Sequence, residues 1–168
     1  MCTDNMPSGT AVKLGDVLTA RNGTTVEIKN TDAEGRLVMM DALALAVEEG
    51  VDAIVDIATL TGAVLVALGG ATAGLFGNEP GIIDQVKAAG AAVDEPVWQL
   101  PLEKKYRKQL DSEVADIANL GGPFAGSTTA ALLLAAFVGA VPWAHIDLAG
   151  TMHVHAAASW RPKRAPGN

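Results

Sequence analysis

Short strand-like runs alternate with helix-like segments along most of the chain, and this alternation limits the possible folds more than any other feature of the sequence. The strand-like runs are residues 17–20, 24–28, 53–57, 72–76 and 143–148. The helix-like segments are residues 37–47, 63–68, 80–93, 102–110 and 127–138. Alternation of this kind is typical of an α/β protein in which helices pack on a sheet. The sequence therefore predicts a three-layer αβα fold with a mixed, largely parallel sheet.

Local signals define several of these elements more closely. The tripeptide Arg21-Asn22-Gly23 joins the first two strand-like runs, and Asn-Gly in that position predicts a β-hairpin. The nearly continuous apolar run 53–57 is typical of a strand buried on both faces of a sheet. Pro80 occupies a first-turn position of the third helix, and the run Ser127-Thr128-Thr129 is expected to cap the last one.

The composition fits one domain and argues against several classes of protein. The chain has 168 residues, of which 49% are hydrophobic, which is enough for one sizeable core. Its formal net charge of −7 would repel a polyanion, so nucleic acid is not the expected partner. The single cysteine, Cys2, excludes an internal disulfide framework and is consistent with a reducing cytoplasm.

Two uncharged stretches, residues 57–78 and 117–144, are long enough to suggest membrane spans. Both are interrupted by glycine and threonine, and the continuous apolar part of the second, residues 127–138, is too short to cross a bilayer. Burial in an α/β core is therefore the preferred interpretation, and a small membrane protein is the alternative.

The hairpin leads into an acidic loop, Asn30-Thr31-Asp32-Ala33-Glu34-Gly35-Arg36-Leu37, which precedes the first helix. Asp32 and Glu34 are two positions apart, a spacing that directs both carboxylates to one side if the backbone is extended. Two oxygen donors with the cation Arg36 close behind are typical of a hydrolytic site for a divalent metal. The alternative is a solvated turn in which Asp32 caps the helix and Arg36 forms a surface ion pair.

This octapeptide resembles the signature of the leucyl (cytosol) aminopeptidases, the M17 metallopeptidases. Other segments resemble that family in the same order and spacing, and the resemblance extends to about Met152. These segments are Asn5-Met6-Pro7-Ser8-Gly9, Gly15-Asp16-Val17-Leu18, Asp56-Ile57-Ala58-Thr59-Leu60-Thr61-Gly62-Ala63, Leu100-Pro101-Leu102, Ala115-Asp116-Ile117-Ala118-Asn119 and Trp143-Ala144-His145-Ile146-Asp147-Leu148-Ala149-Gly150-Thr151.

The resemblance implies a role for individual residues. Asp32 and Glu34 correspond to metal ligands, and Arg36 corresponds to a catalytic arginine that holds a bicarbonate. The substrate-contacting loop of the family corresponds to Thr59, Leu60, Thr61 and Gly62. Ala149 and Met152 correspond to positions lining the pocket for the first side chain of the substrate, and Asn30 and Ala33 to positions near the second. A pocket formed by Thr59, Gly62, Ala149 and Met152 would be apolar and would favour Leu-like residues.

The resemblance also implies a cofactor, a partner and a location. Members of the family use two divalent metal ions, Mn²⁺ or Zn²⁺, to release the N-terminal amino acid of a peptide. They usually assemble as homo-hexamers in the cytoplasm. Three loops, residues 30–36, 58–62 and 149–152, would follow strands of the sheet, and ligands of such sheets bind at the carboxyl ends of the strands. We therefore expect these three loops to converge.

The chain departs from the family pattern at both ends. The family's amino-terminal domain, and the first half of its catalytic domain with a catalytic lysine and further aspartate ligands, have no counterpart here. Residues 153–168 diverge from the family, and His153 with His155 in that tail has the spacing of a metal pair but is not expected to bind metal. We expect residues 1–168 to form a partial catalytic domain with exposed apolar faces.

Two interpretations of this partial domain remain open. In the first, the chain carries part of an aminopeptidase site and is inactive alone, because Asp32 and Glu34 are too few ligands for two metals. In the second, it is a non-catalytic remnant or structural subunit of that family, which associates with a partner through an open edge of the sheet.

Overall fold

The computed structural model describes residues 8–153 and confirms an α/β fold. Its strands are β1 (Val17–Thr19), β2 (Thr25–Glu27), β3 (Ile54–Ala58), β4 (Ala73–Gly77), β5 (Val97–Gln99), β6 (Ile117–Ala118) and β7 (Trp143–Asp147). Its α-helices are α1 (Gly35–Glu48), α2 (Gly62–Leu68), α3 (Pro80–Ala92) and α4 (Gly126–Ala135), and a 3₁₀ helix covers Lys104–Leu110. Cys2, residues 5–7 of the first family segment and all of the divergent tail except His153 lie outside the described residues.

The strands of residues 8–153 form two mixed sheets. The smaller sheet has the order β1-β2-β6, in which β1 and β2 are antiparallel and β2 and β6 are parallel. The larger sheet has the order β3-β7-β4-β5, with β3 and β7 parallel, β4 and β7 antiparallel, and β4 and β5 parallel. The hairpin therefore pairs with β6 and does not join the larger sheet, so the predicted single sheet is divided in two.

The predicted hairpin is confirmed. Val17 pairs with Glu27 and Thr19 with Thr25, and the turn is closed by a hydrogen bond from the amide of Gly23 to the carbonyl of Ala20, 2.8 Å long. Gly23 has a φ of +87°, which a residue with a side chain rarely adopts. The turn therefore favours glycine at position 23, which is why the Asn-Gly pair predicted it correctly.

Helices pack on both faces of the larger sheet, as the three-layer prediction requires. On one face, Phe76 and Trp143 of the sheet belong to the same buried cluster as Met40 of α1 and Leu133 of α4. On the other face, α3 packs on β4 and β7, where Leu75 and Ala144 form a second cluster with two isoleucines of the helix, Ile82 and Ile83. Burial of these apolar side chains is the main favourable contribution to the stability of the fold.

The prediction that the run 53–57 is buried on both faces is wrong. Val55 is 51% exposed and Ile57 is 58% exposed, whereas Ile54 is buried. Within the described residues, β3 pairs only with β7 and forms one edge of the larger sheet. Val55, Ile57 and Ile146 line an apolar groove of about 340 Å³ on this face. The expected exposure of apolar sheet surface is thus present.

The ends of two helices differ in how well they were predicted. Pro80 begins α3, and the carboxylate of Glu79 before it accepts a 3.0 Å hydrogen bond from the amide of Ile82. The prediction that residues 127–129 cap the last helix is wrong, because Ala125 occupies the cap position with a φ of +57°. Ser127, Thr128 and Thr129 lie inside the first turn and are buried.

No helix within the described residues is long and apolar enough to cross a membrane.

Candidate functional site

The three loops that were expected to converge do approach one another. The backbone amides of Leu60 and Thr61, which follow β3, donate hydrogen bonds of 3.1 and 3.3 Å to Oδ1 of Asp147 at the end of β7. A Cβ added to Gly35, at the start of α1, would be 3.4 Å from the side chain of Leu60. The segment after β3 therefore contacts both the end of β7 and the start of α1, although β2 and β3 belong to different sheets.

The acidic loop is not extended, contrary to the geometry assumed for its two carboxylates. Asp32 lies in a turn, where its amide donates a 2.8 Å hydrogen bond to the side-chain oxygen of Asn30. Glu34 has helical backbone angles, φ −74° and ψ −33°, and occupies the cap position of α1. Asp32 and Glu34 are both exposed, whereas Ala33 between them is buried. The alternative in which Asp32 caps the helix is also wrong, since the cap residue is Glu34.

Arg36 is buried, which excludes the surface ion pair considered as an alternative. The residue is only 5% exposed, and its Nη1 donates a 2.9 Å hydrogen bond to the backbone carbonyl of Asn119. Its Nε has no hydrogen-bond partner among the described residues. Burial lowers the pKa of the guanidinium, and the carboxylates of Asp147 and Glu34 oppose this effect by raising it. A buried cation with an unpartnered donor is a suitable contact for an anion.

Asn119 fixes the loop that precedes Arg36, a role that the sequence did not reveal. Its side-chain oxygen accepts hydrogen bonds from the amides of Lys29 and Asn30, at 2.8 and 3.2 Å. Its side-chain nitrogen donates to the carbonyls of Asn30 and Ala33, at 2.7 and 3.4 Å. Asn119 is fully buried. The sequence placed Asn119 in a family-like segment, residues 115–119, but did not reveal its partners, which are about ninety positions away.

Asp147 is the second residue of the candidate site whose contacts the sequence did not reveal. Its Oδ2 accepts a 2.6 Å hydrogen bond from the hydroxyl of Thr61, in addition to the two amides already described. The amide of Ala149 donates a longer, 3.4 Å hydrogen bond to its Oδ1. The side chain is fully buried. Its position in the family-like segment 143–151 was visible in the sequence, but its contacts with Leu60 and Thr61 were not.

The residues predicted to contact substrate differ in exposure. Thr59 and Gly62 are exposed, Leu60 is half-buried and Thr61 is buried. Thr61 also shares a 2.9 Å hydrogen bond with the hydroxyl of Ser127 in α4. None of the predicted site residues lines the apolar groove beside β3. The groove therefore contains no predicted site residue, although Leu148 and Thr151 of the loop after β7 line it.

The loop after β7 carries the other two predicted pocket residues. Ala149 is 8% exposed and Met152 is 49% exposed, so the loop runs from the interior towards the surface. A Cβ added to Gly150 would collide with the backbone carbonyl of Gly69, just after α2. Gly150 thus allows the backbone of this loop to pack directly against the end of α2.

His145 is a core residue. It is 1% exposed, its Nδ1 forms a hydrogen bond with Oδ1 of Asp56, and its ring stacks on that of Trp143 at a centroid distance of 6.2 Å. The indole nitrogen of Trp143 donates a 2.6 Å hydrogen bond to Oδ2 of the same aspartate. Asp56 therefore partners two buried donors of the neighbouring strand.

The described residues offer only part of a metal site. Between residues 8 and 153, no group of three or more histidine, cysteine, aspartate or glutamate side chains is arranged to hold a metal ion. Asp32 and Glu34 have the oxygen donors that a hard divalent cation prefers, and both are accessible. Two carboxylates do not complete the coordination of two ions, so the donor set fits a metal pair only in part.

Comparison with known proteins gives a consistent result. Residues 1–168 match the family described as cytosol aminopeptidase family, catalytic domain. A probable cytosol aminopeptidase of Pseudomonas syringae pv. tomato is 57% identical over 150 residues, which are 89% of this chain and 30% of that protein. A protein of the same description from Bordetella avium is 53% identical over 148 residues, 88% of this chain and 29% of that protein. The chain thus spans about 30% of the length of the curated relatives that it matches.

Proposed function

The chain belongs to the cytosol aminopeptidase family, and from this premise we propose that it carries part of the site of a metal-dependent aminopeptidase. The substrate is a peptide, and the reaction is hydrolysis of the bond after its N-terminal residue. The family match over residues 1–168 is the observation that carries the proposal. The convergence of the loops after β3 and β7 with the start of α1 supports it.

In this proposal Asp32 and Glu34 are metal ligands. The ions are two Mn²⁺ or Zn²⁺ ions, which when bound polarise the peptide carbonyl and lower the pKa of a water molecule. The two carboxylates supply negative charge and hard oxygen atoms. Because the donor set is incomplete within the described residues, further ligands have to come from outside them.

Arg36 is proposed to bind an anion, either bicarbonate or the negative charge that develops on the substrate. Its burial and the unpartnered Nε within the described chain support this role, because a desolvated guanidinium interacts strongly with an oxyanion. Nη1 is already held by the carbonyl of Asn119, which fixes the orientation of the planar group. The arginine would therefore meet the anion in a preorganised position.

Thr59, Leu60, Thr61 and Gly62 are proposed to contact the substrate backbone. Ala149 and Met152 would line the pocket for its first side chain, and Asn30 and Ala33 would lie near the second. Exposed Thr59, Gly62 and Met152 leave this side of the loops accessible. A pocket with these side chains favours Leu-like residues, because it offers apolar surface and no charge.

A second candidate function is a non-catalytic subunit of the same family. The incomplete donor set and the exposed apolar surface of Val55 and Ile57 favour it. In both cases we propose that the chain works in the cytoplasm, within a homo-oligomer such as the hexamer of the family. In both cases we also propose that the chain alone is inactive or nearly so.

The test uses the chain with Mn²⁺, alone and with a separately produced segment of the Pseudomonas syringae relative that covers the part this chain does not span. Hydrolysis of leucine amide is expected only in the mixture, and Glu34→Gln in the chain should abolish it. Glu49→Gln, an exposed acid at the other end of α1, is the matched control and should retain activity. Absence of turnover in the mixture favours the non-catalytic function, and a preference for charged first residues contradicts the proposed pocket.

A further inference from the structure

We propose that Asp147 is a positioning residue, whose buried carboxylate holds the substrate-contacting loop in place. This inference rests on the proposed function, because it names the residue that orders the parts of that same site. Asp147 is not itself expected to touch the substrate or a metal, since it is fully buried.

The contacts of Asp147 join two loops at the same point. Its carboxylate accepts hydrogen bonds from the amides of Leu60, Thr61 and Ala149 and from the hydroxyl of Thr61. Ala58, which ends β3, is paired with Asp147, which ends β7. Because β3 and β7 are parallel, both loops leave the sheet at the same edge, and one carboxylate can hold both of them.

The hydrogen bonds extend from Asp147 to a third element. The hydroxyl of Thr61 lies 2.6 Å from Oδ2 of Asp147 and 2.9 Å from the hydroxyl of Ser127 in the first turn of α4. Since a hydroxyl has one proton to donate, Thr61 donates to the carboxylate and accepts from Ser127. The loop is therefore fixed between a strand end and a helix start by side chains that are all at most 8% exposed.

The charge of Asp147 acts on Arg36 as well. Burial lowers the pKa of the guanidinium, and the largest opposing influence is the carboxylate of Asp147, followed by that of Glu34. A buried carboxylate is costly unless donors surround it, and the donors here come from the very loop that it positions. Loss of the Asp147 charge would therefore leave the donors of this loop without a charged acceptor.

The experiment measures amide hydrogen exchange by NMR in the ¹⁵N-labelled chain. Asp147→Asn keeps the size of the side chain and removes its charge. The amides of Leu60 and Thr61 are expected to exchange about 10-fold to 100-fold faster, because their acceptor changes from a carboxylate to a neutral amide oxygen. Amides of β4 and β5 should exchange at an unchanged rate.

Asp116→Asn is the matched control. Asp116 also accepts hydrogen bonds from a threonine amide and hydroxyl, those of Thr25, at 2.8 and 2.7 Å, but it lies beside the smaller sheet and is exposed. This substitution should leave the exchange of Leu60 and Thr61 unchanged. Equal acceleration at Leu60 and Thr61 in both variants would overturn the proposal.

If Asp147→Asn does not fold, the variants Thr61→Val and Thr61→Ser test the same hydrogen bond from the side of the loop. The valine variant removes the hydroxyl and should accelerate exchange at Leu60 locally, and the serine variant should restore the slower rate. Acceleration by one common factor throughout the chain, or no acceleration at Leu60, would mean that Asp147 has no positioning role. These measurements need no turnover, so failure of the hydrolysis test would reject the proposed function and leave the positioning result to stand by itself.

Discussion

Arg36 and Asn119 hold each other in a fixed arrangement at the start of α1. Nη1 of Arg36 donates a 2.9 Å hydrogen bond to the backbone carbonyl of Asn119, and the side chain of Asn119 binds the backbone of the loop just before Arg36. The two residues are 83 positions apart in the chain. The position of the guanidinium therefore depends on the strand β6 as much as on the helix that carries it.

Replacing Asn119 by alanine should destabilise the protein by about 2–3 kcal/mol, because it leaves part-buried backbone groups of Lys29 and Asn30 and the buried carbonyl of Ala33 without their partner. Urea unfolding followed by circular dichroism measures the change. Asn22→Ala, in the exposed hairpin turn, removes one local hydrogen bond and should cost less than about 1 kcal/mol. Equal losses in the two variants would contradict the role given to Asn119.

Replacing Asp56 by alanine should destabilise the protein by about 2–4 kcal/mol, since the buried ring nitrogens of Trp143 and His145 both lose their acceptor. Tryptophan fluorescence during urea unfolding gives the free energy of unfolding. Asp52→Ala, an exposed acid just before the same strand, is the control and should have little effect. If Asp56→Ala is as stable as the control, the two hydrogen bonds are not needed for the core.

The stability of the protein should fall at acidic pH, in part through Glu79. Amides of Gly81 and Ile82 lower the pKa of this carboxyl below its ordinary value of 4.5. The stabilisation of the folded state by the charged Glu79 carboxylate is therefore present above pH 4.5. It is lost as the pH falls through the lower pKa that Glu79 has in the folded state. Melting temperatures of the wild type and Glu79→Gln between pH 7 and pH 3 should converge at the acidic end.

Asp84→Asn, an exposed acid on the same helix, serves as the control for that comparison. Its melting temperature should follow that of the wild type over the whole range. A constant difference between Glu79→Gln and the wild type at every pH would show that the charge of Glu79 is not involved in capping α3.

Replacing Asp32 by asparagine and Glu34 by glutamine together should weaken the binding of Mn²⁺ to the chain by about tenfold or more, since both substitutions remove charged oxygen donors. Isothermal titration calorimetry measures the affinity. Glu48→Gln, whose carboxylate lies 2.8 Å from Arg21 near the end of α1, should leave the affinity unchanged. Equal affinity in the double variant would contradict the ligand role of the acidic loop.

Local signals predicted the elements that local interactions form. The Asn-Gly turn predicted the hairpin, and Pro80 predicted the start of α3. The short strands β5 and β6 were missed, because strands of two or three residues exist only through pairing with β4 and β2. The exposure of Val55 was missed for a similar reason, since an apolar run does not reveal whether its strand is central or lies at an edge.

The sequence indicated which residues form the candidate site but not how they are held. The residue types of the acidic loop predicted metal binding, which stays a prediction, and its backbone conformation could not be deduced from spacing alone. Arg36 is hydrogen-bonded to the carbonyl of Asn119, and Thr61 is hydrogen-bonded to the carboxylate of Asp147. Both partners come from distant segments, so only the three-dimensional structure could identify them.

The close contact between Gly150 and the carbonyl of Gly69 restricts which positions of the loop after β7 tolerate substitution. Any larger residue at Gly150 would displace the end of α2, so a substitution here requires a shift of the neighbouring backbone. Met152, near the surface, carries no such constraint. Under the proposed function, substitutions that alter substrate preference are therefore expected at the outer end of the loop, where no such close contact restricts the residue.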